Sequence, residues 1–159
     1  TRGLSAIPGI TGPVVKPDCK HVYYMQAFKY NEEITGVPRN EFMKAVAAEL
    51  PSAHLNETTG RVTDSGYFIS SGYVEPIYLQ PIYQRREGTR CSFNCSSYKG
   101  SISYARGLCP VTERMHYKEL FAHDYMKPSM QKTDLDDVIA AFRKVYDGRS
   151  ALAPSGARS

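Results

Sequence analysis

The chain has 159 residues, of which 42% are hydrophobic and 23% charged, and its formal net charge is +4. This length fits a single domain, and the composition argues against a globally disordered chain. No apolar run approaches the roughly 20 residues of a membrane-spanning helix, so the sequence predicts no membrane partner.

The first third of the chain predicts an extended lead-in, then a strand and a helix. Residues 1–20 are interrupted by closely spaced glycines and prolines, which is typical of an extended segment. Residues 21–30 are rich in aromatic and β-branched side chains and favour a strand. Residues 31–38 resemble a turn, and between about 40 and 50 apolar residues recur at helical spacing until Pro51.

The middle of the chain predicts little regular structure. Residues 52–66 are polar and predict a loop. Residues 67–83 are aromatic and β-prone, but Gly72, Pro76 and Pro81 interrupt them. This segment therefore predicts only short strand pieces, at a sheet edge or in extended form.

Residues 85–106, here called the basic segment, carry the whole charge surplus, because they contain five arginines and lysines and one acidic residue. Tyrosines beside such a segment could form a stacking surface for single-stranded nucleic acid. Only three of the aromatic residues lie within it, however, and tyrosines commonly fill strands and interfaces. We predict no nucleic-acid partner.

The last third of the chain predicts a short helix, a strand and a long helix. Pro110 suits the first position of the short helix, and residues 119–126 can form a strand. Thr133 is predicted to cap the last helix with Asp136 three residues on, and Gly148 to end it. The apolar stripe of this helix consists of Leu135, Val138, Ile139, Phe142, Val145 and Tyr146.

Together these elements predict an α+β fold, a small and mostly antiparallel sheet with about three helices packed on one face. The predicted domain covers residues 21–147. It follows the extended lead-in at 1–20 and precedes a flexible tail at 148–159.

Familiar catalytic motifs are missing from the sequence. It contains no P-loop, GxGxxG, HExxH or GxSxG pattern, while a Ser/His/Asp triad is left open. Cys91 and Cys95 lack the spacing of common zinc sites, so no metal is predicted. Four cysteines without a visible secretion signal predict a reducing compartment and a cytoplasmic protein.

Four blocks of sequence carry a resemblance to a known family. They are HVYYMQAFKY from His21 with GVPR at 36–39, YVEPIYLQPIY from Tyr73, CPVTERMH from Cys109, and DDVIAAFRKVY from Asp136. In this order and spacing they resemble the C-terminal small domain of the DegT/DnrJ/StrS-type sugar aminotransferases. The resemblance covers about residues 6–147.

This resemblance implies a pyridoxal-phosphate enzyme of the aspartate-aminotransferase fold. Such enzymes transfer an amino group, usually from glutamate, to a keto sugar attached to a nucleotide. They form homodimers, with the active site at the junction of the large and small domains and the subunit interface. The large N-terminal domain binds the cofactor and supplies the Schiff-base lysine, and the cofactor acts as the electron sink.

The resemblance also implies that the large domain is not part of this chain. The family's Schiff-base lysine precedes a Gly-Glu-Gly-Gly run, and none of the nine lysines here has that context. Lys99 is followed by Gly-Ser-Ile-Ser and lies between two small-domain blocks. We therefore predict no catalytic residue, no cofactor bound to this chain alone and no transamination by it.

The matched blocks indicate which residues bind substrate in the parent enzyme. His21 and Tyr23 open the first block. Tyr78, Gln80 and Tyr83 combine polar atoms with apolar neighbours and could reach sugar hydroxyls. Family members commonly have His where Tyr78 stands, which leaves a proton-transfer role at this position in doubt. A structural role is the alternative for each residue.

Arginines in the basic segment could bind the diphosphate of a nucleotide-sugar through paired hydrogen bonds. Arg85, Arg86 and Arg90 are the candidates, and a solvated loop is the alternative. Glu113 and Arg114 open the short helix and are weaker candidates for the site. For the chain as a whole, the alternative function is a stand-alone binding or interaction module with this fold and no catalysis.

Overall fold

The computed structural model describes residues 1–51, 55–56, 61–62, 69–84, 103–124 and 130–152, with the backbone alone at 55–56 and 61–62. Its strands are β1 (Ile10–Thr11), β2 (Gln26–Tyr30), β3 (Leu55–Asn56), β4 (Arg61–Val62), β5 (Ile69–Ser71) and β6 (Leu120–His123). Its α-helices are α1 (Arg2–Ser5), α2 (Glu32–Thr35), α3 (Arg39–Glu49), α4 (Pro81–Gln84), α5 (Pro110–Arg114) and α6 (Lys132–Asp147). The remaining turns are 3₁₀ turns at Ile77–Leu79 and Arg149–Ala151 and a π-helical turn at Met115–Glu119.

Four strands form an antiparallel sheet in the order β1-β2-β6-β5, and β3 pairs separately with β4. In β2, three buried residues alternate with two exposed ones, so one face of the strand points into the core. The register places Phe28 opposite Phe121, and their rings stack with centroids 5.3 Å apart. The predicted α+β fold with a small antiparallel sheet is confirmed.

Two helices cover the aromatic face of the sheet. Phe42 of α3 lies 6.4 Å from Phe142 of α6, and Phe142 lies 5.7 Å from Phe121, measured between ring centroids. All three rings are fully buried, and each such burial contributes about 2 kcal/mol to folding. Within the described ranges, no helix is both long and apolar enough to cross a bilayer.

The first residues differ from the predicted extended lead-in. Residues 2–5 form α1, residues 10–11 form an edge strand, and Leu4, Ile7 and Ile10 are buried in the core. Leu4 lies in α1, Ile7 in the turn that follows and Ile10 in β1, and all three side chains pack into the same core cluster. The other end also differs from the predicted flexible tail. Arg149–Ala151 forms a 3₁₀ turn and Leu152 packs against the core, while residues 153–159 lie outside the described ranges.

Two segments predicted to be extended or turn-like contain short helices. Residues 31–38 include α2, whose Ile34 N–H donates to the Asn31 side chain at 3.1 Å. The segment 67–83 contains β5 at the sheet edge, as predicted, but continues into a 3₁₀ turn and α4. Prolines explain the difference, because Pro76 and Pro81 stand where each helical turn begins, a position that tolerates a missing N–H.

The long helices follow the predicted patterns more closely. Helix α3 spans Arg39–Glu49, and α6 ends at Asp147 just before Gly148. The predicted cap of α6 is wrong by two residues, because the Gln131 N–H donates to the Asp134 carboxylate at 2.7 Å and the helix begins at Lys132. Thr133 therefore lies inside the first turn. The predicted loop at 52–66 contains β3 and β4.

Arg39 joins α3 to the π-helical turn. Its side chain is buried, and its guanidinium donates to the carbonyl oxygens of His116 at 2.7 Å, Tyr117 at 3.0 Å and Leu120 at 2.6 Å. The Asn40 side chain accepts two more hydrogen bonds. Burial lowers the pKa of Arg39. Five hydrogen bonds use all five N–H donors of the guanidinium, so the charge is solvated by protein dipoles.

The Gly72→Ala substitution is predicted to disturb this junction. Gly72 has φ of +84°, and an added Cβ would lie 2.6 Å from the His116 carbonyl oxygen that Arg39 binds. We expect the free energy of unfolding in urea to fall by several times the roughly 1 kcal/mol that a left-handed alanine costs.

Gly36→Ala is the matched control. Gly36 also has a positive φ, +73°, but an added Cβ there meets no atom within 4 Å. We expect this variant to lose only the conformational cost. Equal losses in the two variants would show that the contact at His116 is unimportant.

His123 makes the core sensitive to acid. Its side chain is 2% exposed beside Phe28, and burial lowers its pKa from 6.5 to about 3. The unfolded chain therefore binds a proton below about pH 6.5 that the folded chain resists, so stability falls as the pH drops from 6.5 toward 3. Between pH 7 and pH 5 we expect a loss of about 2 kcal/mol in the free energy of unfolding.

His123→Gln removes the titrating group and is expected to remove most of this pH dependence. His21→Gln, at an exposed histidine, is expected to retain it. Urea unfolding at several pH values measures both slopes. A wild-type slope in His123→Gln would contradict the assignment.

Candidate functional site

The site is organised by a contact between two of the sequence blocks. Tyr78 lies in the 3₁₀ turn at 77–79, and its hydroxyl donates to the Glu113 carboxylate of α5. The same carboxylate oxygen accepts the backbone N–H of Gly107 at 2.6 Å. Pro110 at the first position of α5 starts the helix that presents Glu113. Blocks 73–83 and 109–116, separate in sequence, thus meet at one carboxylate.

A second set of contacts lies beside this carboxylate, where the described chain enters and leaves the basic segment. The Gln84 side chain donates to the carbonyl oxygens of Tyr78 at 2.7 Å and Tyr104 at 2.8 Å. The Tyr83 and Tyr104 rings lie 5.4 Å apart, measured between centroids. Residues 83–84 and 103–104 are therefore held side by side. Arg85, Arg86 and Arg90 lie outside the described residues.

The charge state of the Tyr78–Glu113 pair follows from its surroundings. Burial and the neighbouring carboxylate raise the pKa of Tyr78 to about 12. The hydrogen bonds from Tyr78 and Gly107 lower the pKa of Glu113. At neutral pH the pair is a phenol that donates to a carboxylate, which suits positioning better than proton abstraction by the tyrosine.

A platform of aromatic side chains stands next to α5. The Tyr117 hydroxyl lies 3.4 Å from the Glu75 carboxylate, and the His116 ring meets the Tyr117 ring edge-on at 4.7 Å. The guanidinium of Arg106 lies over the Tyr117 ring, 4.5 Å from its centroid. Arg39 fixes the backbone beneath this platform through the Tyr117 carbonyl.

A groove of about 1130 Å³ runs between β2, α2 and the α5 region. Glu119 bridges two cations at its wall, with Arg114 at 2.7 Å and Lys29 at 3.4 Å. Glu113 and Tyr117 also line it. In the part of the chain that the structure describes, no three His, Cys, Asp or Glu side chains converge as a metal site requires.

The other predicted substrate residues are distributed around this site. Gln80 donates from its side chain to the Glu75 carbonyl at 3.1 Å. His21 and Tyr23 stack with ring centroids 3.9 Å apart, and the Tyr23 hydroxyl lies 3.0 Å from the Thr1 hydroxyl. This pair lies near the amino terminus, and no described contact joins it to Tyr78. The substrate roles of all these residues stay predictions.

Several residues of the site were not singled out from the sequence. Arg39 belongs to a matched block, and an arginine directly after Pro38 at the start of an apolar helix is a signal visible in the sequence. Arg106 belongs to the basic segment, and the sequence does not distinguish it from the other basic residues there. Glu75 stands in a matched block and Tyr117 follows another, but nothing in the sequence indicates their contact, which depends on how the π-helical turn packs beside residue 75.

Comparisons with known proteins identify one distant relative. The chain is 25% identical over 142 residues to the spore coat polysaccharide biosynthesis protein SpsC of Bacillus subtilis strain 168. The match covers 89% of this chain and 28% of SpsC, so the chain spans little more than a quarter of that protein. No family model matches the chain. No solved structure matches it either.

The Tyr78→Phe substitution tests whether Tyr78 controls the charge of Glu113. Removing the hydroxyl withdraws a hydrogen bond that favours the carboxylate, so the pKa of Glu113 is expected to rise. Tyr24→Phe is the control, because Tyr24 is 87% exposed. NMR titration of the Glu113 carboxyl carbon measures the shift. The same Glu113 pKa in wild type and both variants would contradict the contact.

Proposed function

We propose that the chain is the small domain of a pyridoxal-phosphate-dependent aminotransferase that aminates a nucleotide-linked keto sugar. Similarity to a polysaccharide biosynthesis protein across 89% of the chain carries this proposal. The meeting of two family-like blocks at Glu113 supports it, because blocks that share a site are expected to converge in space.

In this proposal, a region outside this chain binds the cofactor. Seven lysines lie among the described residues, and every one of them is exposed. Three of these form ion pairs with Glu or Asp: Lys29, Lys132 and Lys144. A lysine that forms a Schiff base is normally desolvated or placed beside another cation, so these lysines do not fit that role. We infer that a large N-terminal domain supplies the lysine and holds the cofactor.

The proposed roles on this chain concern substrate. Tyr78, Gln80 and Tyr83 would face the sugar, and Arg85, Arg86 or Arg90 the diphosphate. His21 and Tyr23 would lie toward the large domain or the homodimer partner. Glutamate is the proposed amino donor. A cytoplasmic location fits the free thiols of Cys19 and Cys109.

The alternative is a binding or interaction module without catalysis. The Tyr78–Glu113 contact favours a positioning role and fits either function. Whether a cofactor-binding region is translated together with this chain therefore separates the two.

The test compares the 159-residue chain with the complete product of the reading frame that contains it. We expect only the complete product to bind pyridoxal phosphate with one lysine per chain, trapped by borohydride. With glutamate, only this product should release 2-oxoglutarate. A stoichiometric adduct on the isolated chain would contradict the proposed division of labour. A reading frame that starts near Thr1 would favour the binding module.

A separate variant of the complete product tests whether the three arginines bind the diphosphate. Alanine at Arg85, Arg86 and Arg90 together is expected to weaken nucleotide-sugar binding by the complete product, most strongly at low salt. Unchanged affinity in this triple variant would remove these arginines from the site.

A further inference from the structure

We propose that Arg106, stacked on Tyr117, is a phosphate-binding residue at the edge of the groove. The ligand class, the diphosphate of a nucleotide-linked sugar, rests on the proposed function. The existence of an anion subsite does not, because it is argued from the contacts of Arg106 itself.

The backbone around Arg106 presents its side chain in a defined turn. The Leu108 N–H donates to the Ala105 carbonyl at 3.3 Å, which makes Arg106 and Gly107 the two central residues of a β-turn. Gly107 has φ of +95°, the left-handed conformation that glycine accepts best. Its N–H donates to Glu113, so the turn is anchored to α5.

Three contacts hold Tyr117 in place beneath Arg106, two at its side chain and one at its backbone. Glu75 binds the Tyr117 hydroxyl, His116 packs edge-on against the ring, and Arg39 holds the Tyr117 carbonyl. A guanidinium that stacks on an aromatic ring uses its face and keeps its N–H edge for other partners. This arrangement orients the edge of Arg106 at little entropic cost.

The donors of Arg106 are not consumed by an acidic partner among the described residues. The ion pairs found there involve Lys29, Arg114, Lys132 and Lys144. Glu113 is close enough for its charge to interact with Arg106, but its hydrogen bonds come from Tyr78 and Gly107. An exposed, stacked arginine whose donors meet no acidic partner among the described residues suits the paired hydrogen bonds of a phosphate group.

The surroundings fit a ligand larger than a phosphate. Tyr117 belongs both to the platform and to the groove wall, so a ligand anchored at Arg106 can continue into a groove of about 1130 Å³. Lys118, which is exposed and also lines the groove, adds a second positive charge. Glu32 and Glu33 of α2 also line the groove, and their carboxylates can accept hydrogen bonds from hydroxyl groups.

The experiment titrates the full 159-residue chain with inorganic pyrophosphate at low ionic strength and follows binding by NMR. We expect Arg106→Ala to weaken binding about tenfold, the effect of losing charge-assisted hydrogen bonds. Arg106→Lys should recover only part of the affinity, because lysine keeps the charge without the planar donor edge. Arg143→Ala, which removes an exposed charge from α6, is the matched control and should change affinity less than twofold.

Tyr117→Leu tests the platform without removing a charge, and weakened pyrophosphate binding with a preserved fold is the expected result. Equal affinities in Arg106→Ala and Arg143→Ala, or no binding by the wild type, would overturn the subsite. Arg106-dependent binding together with a complete product that takes up no pyridoxal phosphate would leave the subsite intact and overturn the proposed function. If the complete product transaminates and its Arg106→Ala variant has an unchanged KM for the nucleotide-sugar, the proposed function stands and the subsite is overturned.

Discussion

The junction between α3, the π-helical turn and β6 depends on one buried cation, the guanidinium of Arg39. Arg39 lies at the first turn of α3, and it donates to two carbonyl oxygens of the π-helical turn, those of His116 and Tyr117, and to the carbonyl oxygen of Leu120 in β6. Carbonyl groups at a helix end have no N–H partner within the helix, and they carry partial negative charge. The guanidinium satisfies these acceptors, and they in turn offset the cost of removing its charge from water. These hydrogen bonds join α3, the π-helical turn and β6.

A consequence of this arrangement is that the candidate site rests on the core. The π-helical turn carries His116 and Tyr117 and leads directly into β6, the central strand that holds Phe121. Arg39 fixes that turn by its backbone, so the rings above it do not depend on loop conformation. Glu113 lies on α5, just before the π-helical turn, and its carboxylate accepts the hydrogen bond of the Tyr78 hydroxyl. Side chains that must recognise a ligand are more precise when short elements anchored to a core carry them.

The sequence predicted those parts of the fold that depend on local pattern. The segment that contains β2 is rich in aromatic and β-branched residues, and α3 and α6 place apolar residues at helical spacing, so each is recognisable without its neighbours. Helices of four residues such as α2 and α4 were missed, because one turn contains too few residues to show a period. The first eleven residues were missed for another reason. Leu4, Ile7 and Ile10 become core residues only because α6 and the sheet cover them.

The sequence also predicts the candidate site only in part, because the contacts that form it join residues far apart in the chain. Tyr78 and Glu113 each belonged to a recognisable block, but their contact joins residues 35 positions apart. Arg39 binds carbonyl groups 77 to 81 positions away, and no side-chain pattern marks a carbonyl as an acceptor. Arg106 looked like one charge among five. Its distinction comes from the ring beneath it, a property of the fold and not of the sequence segment.

The proposed division of labour follows from what each kind of residue needs. A lysine that forms a Schiff base is normally desolvated or placed beside another cation, and the described lysines all lie at the surface. Recognition of a phosphate needs the opposite, a cation that keeps its charge and an accessible edge. In our proposal, Arg106 and Tyr117 form the second kind of site, and the buried charge of Arg39 supports the backbone beneath them. Under the proposed function, this chain contributes to binding and positioning, and a large domain would supply the reactive amine.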